Sequence, residues 1–380
     1  MKKFIYISLT IFLIGCSQIT SFKSEKNNVE NNAYNLAIIS TGNGKGSLEE
    51  GVGYPRIYTI IKRAKEMYGE KNILYLDSGG NFSGTTIANR TKGSSSVAVL
   101  NGVGLKATTI GNGDFKYGLK GLINLQEKSN FKIIGTNIRE NDKSSFLTEY
   151  LIEEIGDKKI GIIGLISPEF YKDLNGKDIE KISIEDPIMS ASLIVKKLKK
   201  EKVDFIIALS SLGNDERTNK EWTSRGLAES VNGIDLIIDS GENKTTSFQI
   251  KKTLIISSEE QLGSVGVVQI ALNSKLKNKK LNYKLIKTED IYRPKENRKY
   301  LVKKGDTLYS LAKNNNIQLE ELIKANPEIT DGRTIEIGKE YNIPIFSENP
   351  SAYNKGNKLL NIEEDKNIKA IIEKINKKRI

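Results

Sequence analysis

The chain of 380 residues has no histidine, one cysteine, one tryptophan and seven prolines. The absence of histidine excludes Ser-His-Asp and Cys-His triads, His-ligated zinc and phosphotransfer through imidazole. It also removes the usual general acid/base near neutral pH. A single thiol, Cys16, cannot form an internal disulfide, so the redox compartment cannot be argued from pairing. The apolar run from Phe4 to Ile14 is too short to span a bilayer comfortably. No arginine-rich or aromatic-interleaved stripe is present, and the lysines are interleaved with acids. The formal charge of +12 therefore does not point to nucleic acid, and anionic lipid or wall polymer stays open as the attracting partner. With 38% hydrophobic residues the chain has enough apolar side chains for a sizeable core, and its length suggests two domains.

The first residues combine Lys2 and Lys3 with that short apolar run and then Leu13-Ile14-Gly15-Cys16. Two lysines before a short apolar stretch form a secretory signal. The last four residues resemble the bacterial lipobox, whose cysteine is cleaved before and lipidated. The sequence therefore predicts a signal peptide over 1–15 and a lipid membrane anchor at Cys16, with an ordinary signal peptide and a chance cysteine as the plainer alternative. Residues 16–34, rich in Ser, Lys, Asn and Glu, are expected to form a solvated tether.

From Asn35 onward short apolar runs alternate with helical spacing. Leu36–Ser40, Ile73–Leu76, Ala107–Ile110, Ile160–Ile166, Val203–Ser210 and Ile234–Ile238 read as buried strands. Ile57, Ile60, Ile61, Ala64 and Met67 share one helix face, and Ser192–Lys202 is a second helix. This is an α/β pattern over 35–288, with polar, glycine-rich turns at the strand ends where such folds place their sites. Residues 289–299 are expected to be a linker, 300–346 a small unit, and 347–380 a lysine-rich tail. In that tail Ile362, Ile368, Ile371, Ile372 and Ile375 could line a helix, or the whole segment could be solvated.

Six ordered segments carry a resemblance. They are Ser40–Gly46, Leu76–Thr85, Asn101–Ala107, Gly111–Gly118, Leu209–Gly213 and Gly233–Asn243. Together they resemble the N-terminal, calcineurin-like metallophosphoesterase domain of the 5′-nucleotidase and 2′,3′-cyclic phosphodiesterase family. The resemblance implies a β-sandwich flanked by helices and a two-metal site. Two divalent ions about 3.5–4 Å apart need anionic or imidazole ligands to offset their charge and activate a water. By the family's motifs the ligand positions fall on Asn43, Lys45, Gly80, Asn112, Ser211, Gly241 and Asn243. Asn112 alone keeps the family's residue type, and a turn role accounts for it better than a ligand role. The histidine that assists the leaving group falls on Gly113, and its acidic partner on Lys116. The expectation is a pseudoenzyme with no catalytic residue, no metal ligand and no cofactor.

Two alternatives accompany it. Asp77, Asp114, Asp239 and Glu242 lie near strand ends and could hold a divalent metal without histidine, keeping an altered hydrolase active. The plainer assignment, favoured because acids are common in turns, makes each a cap, a turn residue or a solvated charge. Alternatively, Lys45 and loop amides could retain an anionic ligand without hydrolysing it. The family's usual nucleoside-recognising C-terminal domain is replaced by something shorter.

That replacement, Tyr300–Ala312 followed by Leu319, Leu322, Ile323, Ala325-Asn326-Pro327, Ile335, Gly338 and Tyr341–Ile345, resembles a LysM domain of β-α-α-β order. The resemblance implies binding of N-acetylglucosamine glycans such as peptidoglycan. One groove wall falls on Gly305, Asp306, Thr307 and Leu308, the other on Asn326, Pro327 and Ile329. The plainer assignment makes Asp306 and Thr307 helix caps and Leu308 and Ile329 core. The whole chain then reads as a cell-envelope lipoprotein facing the wall or periplasm, gripping peptidoglycan and presenting a phosphoesterase-fold domain to an unknown protein or anionic ligand. A structural spacer between membrane and wall is the third reading.

Overall fold

The computed structural model describes residues 34–142, 144–169, 181–213, 219–240, 246–272, 279–291, 294–315, 317, 319–329, 334–346 and 362–377. Cys16, the signal and nearly all of the tether lie outside these residues, as do Gly241, Glu242 and Asn243.

From the amino end, β1 (Leu36–Thr41) leads to α1 (Tyr54–Tyr68), β2 (Ile73–Asp77), α2 (Thr86–Arg90), α3 (Ser94–Val103) and β3 (Ala107–Thr108). Next come α4 (Gly118–Lys128), β4 (Lys132–Ile133), β5 (Ile138–Glu140), β6 (Tyr150–Ile155), β7 (Lys158–Ile166) and β8 (Ile182–Ile184). Then follow α5 (Pro187–Lys200), β9 (Phe205–Ser211), α6 (Ser224–Ser230), β10 (Leu236–Asp239), β11 (Thr246–Ile250), β12 (Thr253–Ser257), β13 (Ser264–Ala271), β14 (Lys280–Lys287) and the short α7 (Thr288–Ile291). The last elements are β15 (Pro294–Leu301), α8 (Leu308–Asn314), α9 (Leu319–Lys324), β16 (Glu340–Phe346) and α10 (Lys366–Lys377).

Two six-stranded mixed sheets, β14-β13-β1-β2-β3-β4 and β11-β12-β10-β9-β7-β6, form the large unit. β1 and β9 are buried along their whole length, as expected of central strands with both faces covered. Leu36, Ile38, Leu76, Ile162, Ile207, Ile238 and Ile256 meet in the core between the sheets. Ala191, Ile194, Val195 and Leu198 of α5 bury the outer face of the second sheet. Sequence explains where these helices start. Pro55 and Pro187 occupy the first helical turns, where no N–H partner is needed, and Asp186 accepts from Ile188 N and Met189 N at 2.8 Å each.

The chain separates into two units, 33–291 with 362–380, and a second that contains 292–361. In the second, β15 and β16 pair antiparallel over Val302, Leu308, Leu311, Leu322, Ile329 and Tyr341. β15 begins at Pro294, so residues 294–299, read as linker, are strand. Their charge misled because an edge strand with one solvated face carries charge freely. The tail's α10 belongs to the large unit. Ile368 and Ile372 are buried, and Ile371 reaches toward Gly102 of α3, where a Cβ would stand 2.7 Å from its Cδ1.

Candidate functional site

The parallel strands β1, β2, β3, β9 and β10 end at Thr41, Asp77, Thr108, Ser211 and Asp239, and their following loops converge. Asn43 N donates to Gly79 O and Lys45 N to Gly80 O, both at 2.7 Å. Gln261 N donates to Asn43 O at 2.9 Å, and Ser240 Oγ to Ser78 O at 2.5 Å. The first loop is thus tied to the second, and the β10 loop is tied to the second as well.

Glycines allow this closeness. A Cβ at Gly111 would stand 2.8 Å from Gly80 N, and one at Gly80 would meet Asn43 Oδ1 at 3.1 Å. The room an aspartate would need at position 80 is bounded by Asn43. Asn43 and Lys45 hold left-handed backbone, φ 51° and 49°. Asn tolerates it, whereas Lys45 bears a cost of about 1 kcal/mol. The Lys45 ammonium pairs with Glu260, a partner no motif indicated. Both are partly exposed, so the pair contributes about 0–1 kcal/mol. Ser211 is buried at the end of β9, and a Cβ added at Gly111 would stand 3.4 Å from its Oγ. Asn112 opens the turn Asn112–Tyr117. Gly113 is exposed, its carbonyl accepting from Ser83 Oγ at 2.6 Å, and Lys116 donates to Asn89 Oδ1 at 3.0 Å.

Two of the four carboxylates considered from sequence meet around these loops. Asp77 accepts from Thr41 Oγ1 (2.6 Å), Gly79 N (2.7 Å), Asn81 Nδ2 (2.5 Å) and Thr108 Oγ1 (3.0 Å). Asp114 accepts from Gly80 N (2.8 Å), Gly111 N (2.9 Å) and Phe82 N (2.8 Å). Asp239 accepts from Gly213 N at 3.1 Å. All three are buried. Burial pushes the Asp114 carboxyl up to about 6 against its backbone donors, and raises Asp77 against its hydrogen bonds. Oxygens committed to protein donors in this way are poor metal ligands. Among the described residues no group of three or more Cys, Asp or Glu side chains could hold a metal ion.

In the small unit the candidate glycan-wall residues divide. Thr307 Oγ1 accepts from Ser310 N at 3.0 Å and caps α8. Asp306 accepts from Lys303 N at 2.8 Å and Tyr300 Oη at 3.0 Å. Leu308 and Ile329 are core. Asn326 is fully buried, donating to Leu322 O (2.7 Å) and Asn342 O (2.8 Å) and accepting from Asn342 N (2.6 Å). It staples α9 to β16 and offers a glycan no side-chain atom. Gly305, at φ 96° with open space around it, and Pro327 are exposed.

Two sheets in a sandwich flanked by helices, with glycine-rich loops gathered at the strand ends, make the large unit a calcineurin-like phosphoesterase fold, and the small one a LysM domain. The LysM family matches residues 300–344. The large unit is similar to the solved calcineurin-like phosphoesterase YfkN from Bacillus subtilis, at TM-score 0.58 and 20% identity over 67% of this chain and 90% of that one. In sequence the chain is 28% identical to the 5′-nucleotidase of Bos taurus over 50% of its own length and 32% of the relative's. It is 27% identical to the trifunctional nucleotide phosphoesterase protein YfkN of Bacillus subtilis (strain 168), over 50% and 15%. The chain thus spans about a third or less of these curated relatives. The LysM domain supports peptidoglycan binding and a wall-associated protein, and no helix among the described residues is long and apolar enough to cross a membrane.

Proposed function

We propose that the chain is an envelope lipoprotein, anchored through Cys16 and held to peptidoglycan by its LysM domain, whose phosphoesterase-fold unit is a non-catalytic holder of a protein or anionic ligand. One observation carries the reading. The loops that would have to open around two metal ions are hydrogen-bonded to one another, and their buried carboxylates are spent on those bonds. Lys45 adds a cation at a position where the resemblance calls for a ligand to a metal cation. That ammonium, paired with Glu260, would offer a divalent pair repulsion in place of a ligand. The related 5′-nucleotidases share the fold, but the residues at the matching positions here support binding without hydrolysis.

The test is metal analysis of the purified protein together with hydrolysis assays on 5′-nucleotides and 2′,3′-cyclic nucleotides. The expected result is no stoichiometric metal and no turnover above background. Stoichiometric metal with turnover abolished by Asp77→Asn or Asp239→Asn overturns the reading and restores the altered hydrolase. In a separate sedimentation assay, the full chain is expected to pellet with peptidoglycan.

A further inference from the structure

We propose that the end of the large unit opposite the site loops is a docking face for an anionic lipid bilayer. The parallel strands all start at this end, and both sheets share it. Gly156, in the β6–β7 turn, lies against Asn72, just before β2, and Lys106 pairs with Glu153 across the two sheets at 2.9 Å. Six lysines stand exposed here without an ion-pair partner among the described residues. Lys132 and Lys159 sit at the starts of β4 and β7, Lys200 and Lys202 at the end of α5, Lys252 in the β11–β12 turn and Lys280 at the start of β14. Several carboxylates of this end are already neutralised. Glu153 is paired with Lys106, Asp157 with Lys158 at 2.7 Å, and Asp235 with Lys279 at 2.6 Å. Glu66, Glu127, Glu154, Glu201, Asp204 and Glu229 are exposed acids of this end without an ion-pair partner among the described residues, but Lys71, Lys128, Lys199 and Lys251 join the six lysines in the same condition, so positive charge still prevails.

The chain also enters the fold at this end. Asn35 N donates to Ile270 O at 3.1 Å, and its Oδ1 accepts from Leu272 N at 3.2 Å, fixing the entry point beside β1. This step rests on the proposed anchor at Cys16. A lipid at Cys16 would bring the membrane to the side of the entry point, where the lysines attract an anionic surface within a screening length of about 8–10 Å at ordinary salt and hold the site loops outward.

The experiment uses the full chain carrying Cys16→Ser, so that lipidation plays no part, sedimented with vesicles of phosphatidylcholine alone or mixed with phosphatidylglycerol. Binding is expected to be at least about tenfold tighter to the anionic vesicles and to weaken as salt is raised, with each lysine contributing about fivefold. The quadruple variant Lys159→Glu, Lys200→Glu, Lys202→Glu and Lys252→Glu should lose the preference. Lys92→Glu with Lys120→Glu, exposed near the other end, should keep it. Equal binding to both vesicles, or a quadruple variant that binds like its parent, overturns the proposal, as does a preference for isolated anionic wall polymer over vesicles. If the quadruple variant fails to fold, the salt and lipid dependence of its parent still decides. Mass spectrometry of the unmutated protein tests lipidation at Cys16 separately, so loss of the anchor and loss of the face are distinguishable.

Discussion

At the residue scale, Asp114 shows how a buried carboxylate becomes structural. Its two oxygens take three backbone N–H groups from two loops, and Asp77 stands near enough to raise it further. Its folded value of about 6 lies above the ordinary carboxylate value of about 3.9. The folded state therefore binds the proton more tightly than the unfolded state. The associated stability is fully present below about pH 4 and is lost as pH rises through about 6, amounting to at most ~3 kcal/mol. Asp114→Asn presents one acceptor oxygen to three donors and sets an NH2 against N–H groups, for a cost of about 1–3 kcal/mol. Its deficit relative to the parent should be larger near pH 4 than near pH 7. Urea denaturation followed by the fluorescence of Trp222, which donates to Asp186 at 3.0 Å, measures both. An equal deficit at both pH values removes the assigned role. The positions of Asp77, Asp114 and Asp239 at strand ends were legible from the alternation of strand and loop. Their donors were not, because Gly80 N and Phe82 N reach Asp114 only through the fold. The same holds for Lys45 and Glu260, far apart in sequence, and for Asn326 and Asn342, whose mutual staple has no local pattern.

At the scale of elements, α10 decides whether the tail is part of the folded unit. Its isoleucines left two possibilities open, a helix face or a solvated tail. Periodicity alone cannot tell a helix with a docking surface from one without. The surface is supplied by α1 and α3. Asp365 N donates to Pro55 O at 3.0 Å, Arg56 pairs with Glu364, and Lys62 meets Asp365 at 2.6 Å. Asp365 also caps the helix, accepting from Asn367 N at 2.9 Å and Ile368 N at 3.1 Å. Burial opposes its charge, but Lys62 and these donors hold its carboxyl below the usual range. Asp365→Ala should cost about 1–2 kcal/mol, chiefly through the lost cap. Gly102→Val, which drives a side chain into Ile371, should expose α10 to protease with little change in the sheets. Limited proteolysis and hydrogen exchange check the pair, and protection of 366–377 unchanged in both variants removes α10 from the folded unit. The linker illustrates the opposite failure. Charge in 294–299 looked like solvent-exposed chain, yet backbone pairing to Ile343, Pro344 and Ile345 makes it strand, because a two-stranded sheet asks little of its outward side chains.

At the scale of the molecule, chain order constrains how attachment would work. The chain leaves the large unit after Ile291, forms the LysM unit and rejoins the large unit at Ile362. The LysM unit therefore lies in the sequence between two stretches of the large unit. With a lipid at Cys16 and glycan on the LysM unit, the same molecule would have two separate holds on the envelope. Joined in one chain, the second hold acts at an effective concentration in the millimolar range, and avidity rises by about 10²–10⁴ over either alone. Retention by membranes carrying attached peptidoglycan should therefore fall about a hundredfold or more on Cys16→Ser, and by a similar factor when soluble N-acetylglucosamine oligomers compete for the LysM groove. Removing both at once should abolish retention, because no hold then remains. The measurement is the dissociation rate of labelled full-length protein from such membranes. Retention left unchanged by removing one hold would mean that the other suffices by itself, and the bridging role would then fail even with both binding activities intact.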